Sequence, residues 1–166
     1  RMITEKPVGG NVFEQYVTQF FQKMFPVDAG YEPSADQSVR AIAKARGVSP
    51  QEVAYDLLME DDGTGFLYFP LFNYTDNKLD LLHRMHTHPQ IRMGLSDGGA
   101  HCGAICDGGM PTFMLTHWTR DRTRGDKLGL EEVVKTMSAD TADFYGLQDR
   151  GRVVPGYKAD LNIIDF

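Results

Sequence analysis

"RMGLSDGGAHCG", residues 92–103, has the pattern of a β-strand that ends at an acidic residue. Residues 92–96 can run extended, and Asp97 is followed directly by Gly98 and Gly99. Asp-Gly is common turn chemistry, because glycine adopts a positive φ without steric cost. A catalytic carboxylate at a strand end favours the same pattern, since residues without side chains let a substrate or a metal come close. On these residues alone, a simple turn and a catalytic loop are both open interpretations.

Two apolar runs on the N-terminal side of this loop predict parallel strands. "FLYFPLF", residues 66–72, is short and continuous enough to be a strand buried on both faces, with Pro70 marking a bulge or a strand end. "DNKLDLLHRMH", residues 76–86, predicts a helix, and residues 90–96 predict the next strand. A helix between two buried strands indicates a right-handed βαβ unit. Asp97 would then follow the C-terminal end of a parallel strand, where α/β proteins place functional residues.

The rest of the chain predicts further helices and a terminal hairpin. Ser49 and Pro50 have the types expected at an N-cap and first helical position, and Glu52 completes a capping box. Residues 151–166 predict two short strands around a "PG" turn, which places a domain boundary near Gly151. Apolar spacing and start or stop residues such as Asn11 and Gly47 predict helices over residues 11–25, 36–46, 50–59, 111–122 and 130–145.

Composition restricts the class of protein and its partners. The chain has 166 residues, 42% of them hydrophobic, and a formal net charge of −6, as expected for one globular domain. The negative charge argues against nucleic acid or an anionic membrane surface as partner. No apolar run approaches the roughly 20 residues that a membrane span needs. Cys102 and Cys106 are expected to be reduced thiols of a cytoplasmic protein. Because the chain begins at Arg1 rather than Met, we expect it to be part of a longer polypeptide.

Three segments together resemble the C-terminal part of the amidohydrolase superfamily, and within it the N-acyl-D-amino-acid deacylase (D-aminoacylase) branch. They are "GLSDGGAH", "PTFMLTHWTRDRTRG" and "RGRVVPGYKADLNIIDF", and the resemblance runs from about residue 31 to residue 166. It implies a (β/α)8 barrel that uses one or two divalent ions, usually zinc, to hydrolyse C–N bonds of a small-molecule amide. The expected fold class is therefore α/β, with residues 1–150 as the C-terminal part of the barrel and residues 151–166 as the first strands of a small β-sandwich.

The resemblance also implies roles for the residues of the opening loop. Asp97 corresponds to the family's aspartate after the last barrel strand, which lies at the metal, takes a proton from the metal-bound water and delivers it to the leaving nitrogen. The chemistry is sound, because a metal lowers the pKa of its water and a nearby carboxylate accepts the proton. His101, Ser96 and the backbone N–H groups of Gly98 and Gly99 are candidate substrate-binding groups. Local hydrogen bonding and turn geometry are the alternative explanations for these four residues.

Other polar motifs receive weaker functional interpretations. His86 and His88 form an H-x-H pair, but they lie at the C-terminus of a predicted helix, just before the last strand, so we reject them as the family's metal pair. Arg120, Arg122 and Arg124 could clamp a substrate carboxylate, although the simplest interpretation of residues 120–127 is a solvated helix end. Related deacylases often carry "H-P-R" after the aspartate, whereas this chain has "CDGGMPT". Another amide or a cyclic imide therefore stays open as substrate.

Much of a barrel has no counterpart in the sequence. A barrel needs about 200 residues or more and eight strands, whereas the sequence predicts two barrel strands, and Asp97 is its only member of the metal and acid–base set. We therefore expect the missing N-terminal part of the barrel to be a partner of this chain, and we expect the isolated chain to have no activity. Unpaired strand edges would also favour a homo-oligomer. The alternatives are a non-catalytic binding module or a small zinc-stabilised domain. The latter would use His101, Cys102, Cys106 and a fourth ligand, His117 or Asp107.

Overall fold

The computed structural model describes residues 12–94, 96, 98–99 and 107–166, without the side chains of residues 13–15 and 107. The chain divides into two compact units, Arg1–Leu79 and Asp80–Phe166, called here the first and the second unit. No helix of the described residues is both long and apolar enough to cross a membrane.

The first unit consists of short helices and one small sheet. Its helices are α1 (Val12–Val17), α2 (Val39–Arg46), α3 (Pro50–Leu58) and the four-residue turn α4 (Glu60–Gly63), with 3-10 turns at Phe21–Lys23, Val27–Ala29 and Ala35–Gln37. Strands β1 (Phe25–Pro26) and β2 (Leu67–Tyr68) pair antiparallel, with Phe25 opposite Tyr68 and Pro26 opposite Leu67. The core lies between α2 and α3 and comprises Met24, Val39, Ala43, Val53 and Leu57.

Capping residues fix the bounds of α2 and α3. The Ser38 hydroxyl accepts a hydrogen bond from the Ala41 backbone N–H at 3.3 Å, and α2 ends at Gly47 with a φ of 71°. The Ser49 hydroxyl accepts from the Glu52 N–H at 3.2 Å, directly before the first helical residue, Pro50. The stop at Gly47 and the helix over residues 50–59 are thus confirmed, while the helix predicted from residue 36 begins at Val39 because Ser38 is extended and caps it.

The long N-terminal helix predicted over residues 11–25 is wrong beyond α1. Met24 has an extended backbone, and its carbonyl accepts a hydrogen bond from the Val39 N–H at 2.8 Å. Phe25 is completely buried and pairs with β2. Apolar residues at helical spacing here serve tertiary contacts with α2 and β2, which override the local pattern. The proposed cap Asn11 lies outside the described residues.

The strand in residues 66–72 is shorter than predicted and belongs to an antiparallel sheet. Only Leu67–Tyr68 is a strand, and its partner is antiparallel rather than parallel. Pro70 lacks an N–H, which ends the ladder. Phe66 and Phe72 are 71% and 77% exposed, so the run is not buried on both faces. The prediction of a doubly buried parallel strand is therefore wrong.

All the regular secondary structure in the described residues of the second unit is helical. It contains α5 (Asp80–His86), a 3-10 turn (Asp107–Gly109), α6 (Met110–Phe113), a π-helix (Met114–Asp121), α7 (Leu130–Met137) and α8 (Ala139–Tyr145). The helix predicted over residues 76–86 begins at Asp80, and the one over residues 130–145 is interrupted at Ser138, whose φ and ψ are −123° and −79°. Its buried apolar residues are Met114, Trp118, Leu128, Val133 and Ala142.

Two segments predicted to be strands have no regular structure. The described residues of 90–96 form no strand, so the predicted βαβ unit is absent from the described part of the chain. Residues 151–166 contain the predicted turn, with the Tyr157 N–H bound to the Val154 carbonyl at 3.2 Å and Gly156 at φ 93°, but no strands flank it. A strand needs a neighbouring backbone for its hydrogen bonds, and the described residues offer these segments none. The (β/α)8 barrel and the β-sandwich stay predictions.

Candidate functional site

Gly98 makes a close backbone approach to Gly108, in the turn before α6. Asp97 and His101 themselves lie outside the described residues, whereas Ser96 is half-buried and Gly98 and Gly99 are exposed. A Cβ atom added to Gly98 would lie 3.0 Å from the Cα of Gly108, tighter than ordinary van der Waals contact. The residue after Asp97 is therefore required to be small by packing against the Asp107–Gly109 turn.

The two glycines of the loop differ in the space around them. Gly99 lies in a bend without a left-handed φ, and because a type I turn needs no positive φ, turn geometry stays open as an explanation of both residues. Gly99 differs from Gly98, because a Cβ added there meets nothing within 4 Å. Packing also accounts for Gly98, while open space at Gly99 is compatible with the approach of a substrate.

Arg122 is a buried structural residue of the second unit. Its side chain is 0% exposed and donates hydrogen bonds to the Asp80 carboxylate at 2.6 Å, the Asp126 carbonyl at 2.6 Å and the Arg124 carbonyl at 3.2 Å. Its guanidinium carbon lies 4.9 Å from the centroid of the Trp118 ring. The hypothesis that Arg122 clamps a substrate carboxylate is therefore wrong, and so is the interpretation of this residue as part of a solvated helix end.

Arg120 also has an internal partner. Its Nε and a terminal nitrogen donate to the two oxygens of the Asp121 carboxylate at 2.7 and 3.0 Å. This hydrogen-bonded pair raises the pKa of Arg120 and lowers the pKa of Asp121. Both side chains are about half exposed, so the pair contributes little to stability. A carboxylate ligand would have to displace Asp121 from Arg120, which makes it a poor clamp.

Three histidines, His83, His86 and His117, contact the ring of Trp118. The His117 ring is buried, stacks on Phe113 at 4.8 Å and meets Trp118 edge to face at 5.6 Å, which confirms packing as its role. His86 is the last residue of α5 and packs edge to face on Trp118 at 5.1 Å. The pKa of His86 is lowered mainly by burial and to a smaller extent by the nearby His83.

The described residues bring together no candidate metal centre. Within 12–94, 96, 98–99 and 107–166, no group of three or more His, Cys, Asp or Glu side chains could hold a metal ion. Cys102, Cys106 and His101, the core of the alternative zinc site, lie outside these residues, as does Asp97. His86 is the last residue of α5 and His88 lies two residues beyond it, so the rejected H-x-H pair lies at a helix C-terminus as predicted.

A cleft of about 350 Å³ opens beside the segment that leads to Asp97. It is bordered by the end of α5, residues 87–93 and the facing sides of α7 and α8. Its polar lining carries both signs of charge, and within it Lys135 forms an ion pair of 2.7 Å with Asp140. Sequence reasoning missed this cleft, since it depends on contacts between distant elements. The charged and titratable side chains that line the cleft are His86, His88, Arg92, Glu132, Lys135 and Asp140.

Comparison with known proteins adds a family and distant relatives. The model of the amidohydrolase family matches residues 20–166. Uncharacterized proteins of Mycobacterium bovis and of two Mycobacterium tuberculosis strains are 26% identical over 132 residues, which are 78% of this chain and 21% of each relative. The chain thus spans about a fifth of the length of these curated relatives. No solved structure gives a significant match.

Proposed function

Because the chain belongs to the amidohydrolase family, we propose that this hydrolase cleaves the C–N bond of an amide with Asp97 as general acid and base. The observation that carries the proposal is the family match over residues 20–166, which includes the Ser96-Asp97-Gly98 motif. The close approach of Gly98 to Gly108 supports it, since it ties the backbone beside Asp97 to the turn before α6. We further propose that residues 1–150 are barrel and that residues 151–166 open a β-sandwich.

The proposed step at Asp97 is a proton transfer in two stages. Its carboxylate accepts a proton from the attacking water while the water oxygen bonds to the amide carbon. The same proton then goes to the leaving nitrogen as the C–N bond breaks, which returns Asp97 to its ionised form. Ser96, His101 and the N–H groups of Gly98 and Gly99 are proposed to bind the substrate. Gly99 supports this, because the space at its Cα is open.

The metal in this proposal is inferred from the family. Amidohydrolases are generally metal-dependent, and we propose one or two zinc ions in the intact enzyme. The described residues bring together no set of ligands that fits such an ion, so we derive no step through it. We propose that the ligands come from the N-terminal part of the barrel, the partner that this chain requires for activity.

The substrate class is proposed as amides, with N-acyl-D-amino acids first. Two observations argue that other amides and cyclic imides should also be assayed as substrates. "CDGGMPT" replaces the deacylase element "H-P-R", and Arg122 is committed to Asp80 and two carbonyls. We also propose that the enzyme is cytoplasmic and that it associates into homo-oligomers.

The test replaces Asp97 in the longest natural polypeptide that contains this chain. We expect Asp97→Asn to lower kcat on the best of a panel of N-acetyl-D-amino acids, simple amides and cyclic imides by about 10²–10⁴-fold, the usual contribution of a general acid–base group. KM should change little. Asp121→Asn is the matched control, because this exposed carboxylate pairs with Arg120, and it should leave kcat unchanged. If Asp97→Asn keeps kcat within a few-fold of the unaltered enzyme, the assigned role is wrong. The isolated chain should show no turnover.

A further inference from the structure

Trp118, the only tryptophan of the chain, is surrounded by groups that are or can become cations. The indole is 1% exposed. Its ring centroid lies 4.9 Å from the Arg122 guanidinium carbon, 5.1 Å from the His86 ring and 6.2 Å from the His83 ring. One permanent positive charge and two imidazoles therefore share one buried aromatic residue.

A second positive charge at this site is unfavourable. An aromatic ring attracts a cation, but Arg122 already provides one for this indole. His86 is half-buried, so its charged form loses water, and His83 lies near enough to disfavour that form further. Both effects favour the neutral imidazole, and together they lower the pKa of His86.

We propose that His86 is a proton-operated switch that leaves Trp118 for the adjacent cleft when it becomes protonated. The cleft of about 350 Å³ has room for the imidazole, and His86 already forms part of its wall. Glu132 lies in the same wall, and among the described residues it forms no ion pair. The cleft therefore offers an imidazolium water and a carboxylate, which the indole does not.

The charged and titratable groups around His86 determine the direction of the switch. On its own helix the neighbour is His83. The π-helix side contributes His117 and Arg122 around the shared indole, and the charge of Arg122 is paired at 2.6 Å with the carboxylate of Asp80, the first residue of α5. Across the cleft, Lys135 and Asp140 neutralise one another. Glu132 is thus the carboxylate that favours the protonated form. The groups that line the cleft with His86 are His88, Arg92, Glu132, Lys135 and Asp140.

The switch would act on the proposed active site through the chain itself. His86 ends α5, and residues 87–94 run from it to Ser96 and the Asp97 loop. Release of His86 would free the start of this segment, so acidification would loosen the backbone that leads to the proposed catalytic residue. Only this consequence rests on the proposed function. The movement at Trp118 stands on the packing of the second unit.

The sign of the pH dependence follows from the lowered pKa of His86. Above pH 6.5 both folded and unfolded chains hold a neutral imidazole, and the packed form has its full stability. As the pH falls from 6.5 through the lower pKa of the folded state, the unfolded chain binds more protons and the packed form loses stability. The switch must therefore operate on the acidic side of 6.5.

The first test follows Trp118 emission of the 166-residue chain from pH 8 to pH 5. We expect one transition with its midpoint below 6.5 while far-UV circular dichroism stays constant. His86→Gln should remove it, and His88→Gln, which alters a histidine of the same cleft wall without a ring contact to Trp118, should keep it. His83→Gln should raise the midpoint and Glu132→Gln should lower it. A transition that persists in His86→Gln, or that coincides with loss of helix, overturns the proposal.

The second test needs no variant, so misfolding of His86→Gln cannot decide the outcome. Ring-proton NMR of the unaltered chain should give His86 a pKa below 6.5 and contacts to the indole that disappear on protonation. A pKa at or above 6.5, or contacts that persist in the protonated form, would refute the switch. Asp97→Asn should leave the emission transition unchanged. Failure of the hydrolase assay with an intact transition would thus reject the proposed function alone.

Discussion

Arg122 is the residue whose environment differs most from its sequence context. It stands in a run of alternating charges, yet its side chain is completely buried under Trp118. Burial of a guanidinium is tolerable only when its charge and donors are satisfied. Asp80 supplies the charge, and two carbonyls accept the remaining hydrogen bonds. Gly125 is part of the same arrangement, since a Cβ there would lie 2.6 Å from both the Arg122 guanidinium and the Asp80 carboxylate.

Replacement of Arg122 by Met should destabilise the second unit by about 1–3 kcal/mol, because the Asp80 carboxylate and the carbonyls of Arg124 and Asp126 lose their donor. Methionine keeps an unbranched chain beside Trp118, so lost packing contributes less than lost hydrogen bonding. The measurement is urea denaturation followed by Trp118 emission. Arg120→Met is the control, since its exposed pair with Asp121 contributes little to stability. Equal losses in the two variants would contradict a structural role for Arg122.

The glycines of the Asp97 loop show what a single sequence can predict about a residue. The pattern suggested either a turn or the close approach of a substrate or metal at residue 98, whereas the group that approaches Gly98 in the structure is backbone. The pattern could not indicate this contact, because the backbone that approaches is Gly108, ten residues further along the chain. The roles of Asp97 and His101 stay predictions, since both lie outside the described residues.

At the level of elements, helices with capping residues were predictable. Ser49, Pro50 and Gly47 act through their immediate neighbours, so their effect can be read from the local sequence. The π-helix Met114–Asp121 was predicted as ordinary helix, because apolar spacing over eight residues does not separate the two helix types. The predictions of strands were wrong because a strand depends on a distant partner rather than on its immediate neighbours in the sequence. β2 pairs antiparallel with Phe25–Pro26 instead of with a parallel strand.

Removal of the cap of α3 tests the local interpretation. Ser49→Ala should cost the first unit about 1 kcal/mol, because the Glu52 N–H loses its acceptor. Ser49→Asp should retain most of that stability, since a carboxylate caps the N–H and favours the helix N-terminus. Thermal unfolding followed by circular dichroism measures both variants. If Asp were as damaging as Ala, the hydroxyl would not act as a cap.

At the scale of the whole chain, the fold class depends on contacts that the described residues do not contain. Residues 90–94 and 151–166 carry apolar residues of strand type, yet neither segment pairs with a sheet in the described chain. The sequence therefore indicated the family through motifs, and the match over residues 20–166 confirmed the family. Architecture could not be confirmed in the same way, because a barrel is a property of eight strands together.

The exposed end of the chain should promote self-association. Ile163 is fully exposed, and Leu161 and Val153 are 62% and 84% exposed. Ile163→Lys should reduce the apparent mass at high protein concentration in size-exclusion chromatography with light scattering, because it interrupts an apolar segment with a charge. Asn162→Lys is the matched control, since it adds the same charge beside it without removing an apolar side chain. An equal reduction in both variants would assign the effect to net charge.

The π-helix has a consequence for how this region tolerates changes of length during evolution. Its i→i+5 hydrogen bonds enclose one residue more than those of an α-helix. Loss of one codon within residues 114–121 can therefore be absorbed by tightening to α geometry, with the flanking chain kept in place. The same loss in α7 would rotate Val133 away from the core, because that helix has no spare residue. Related sequences should accordingly differ in length here more readily than in the neighbouring helices.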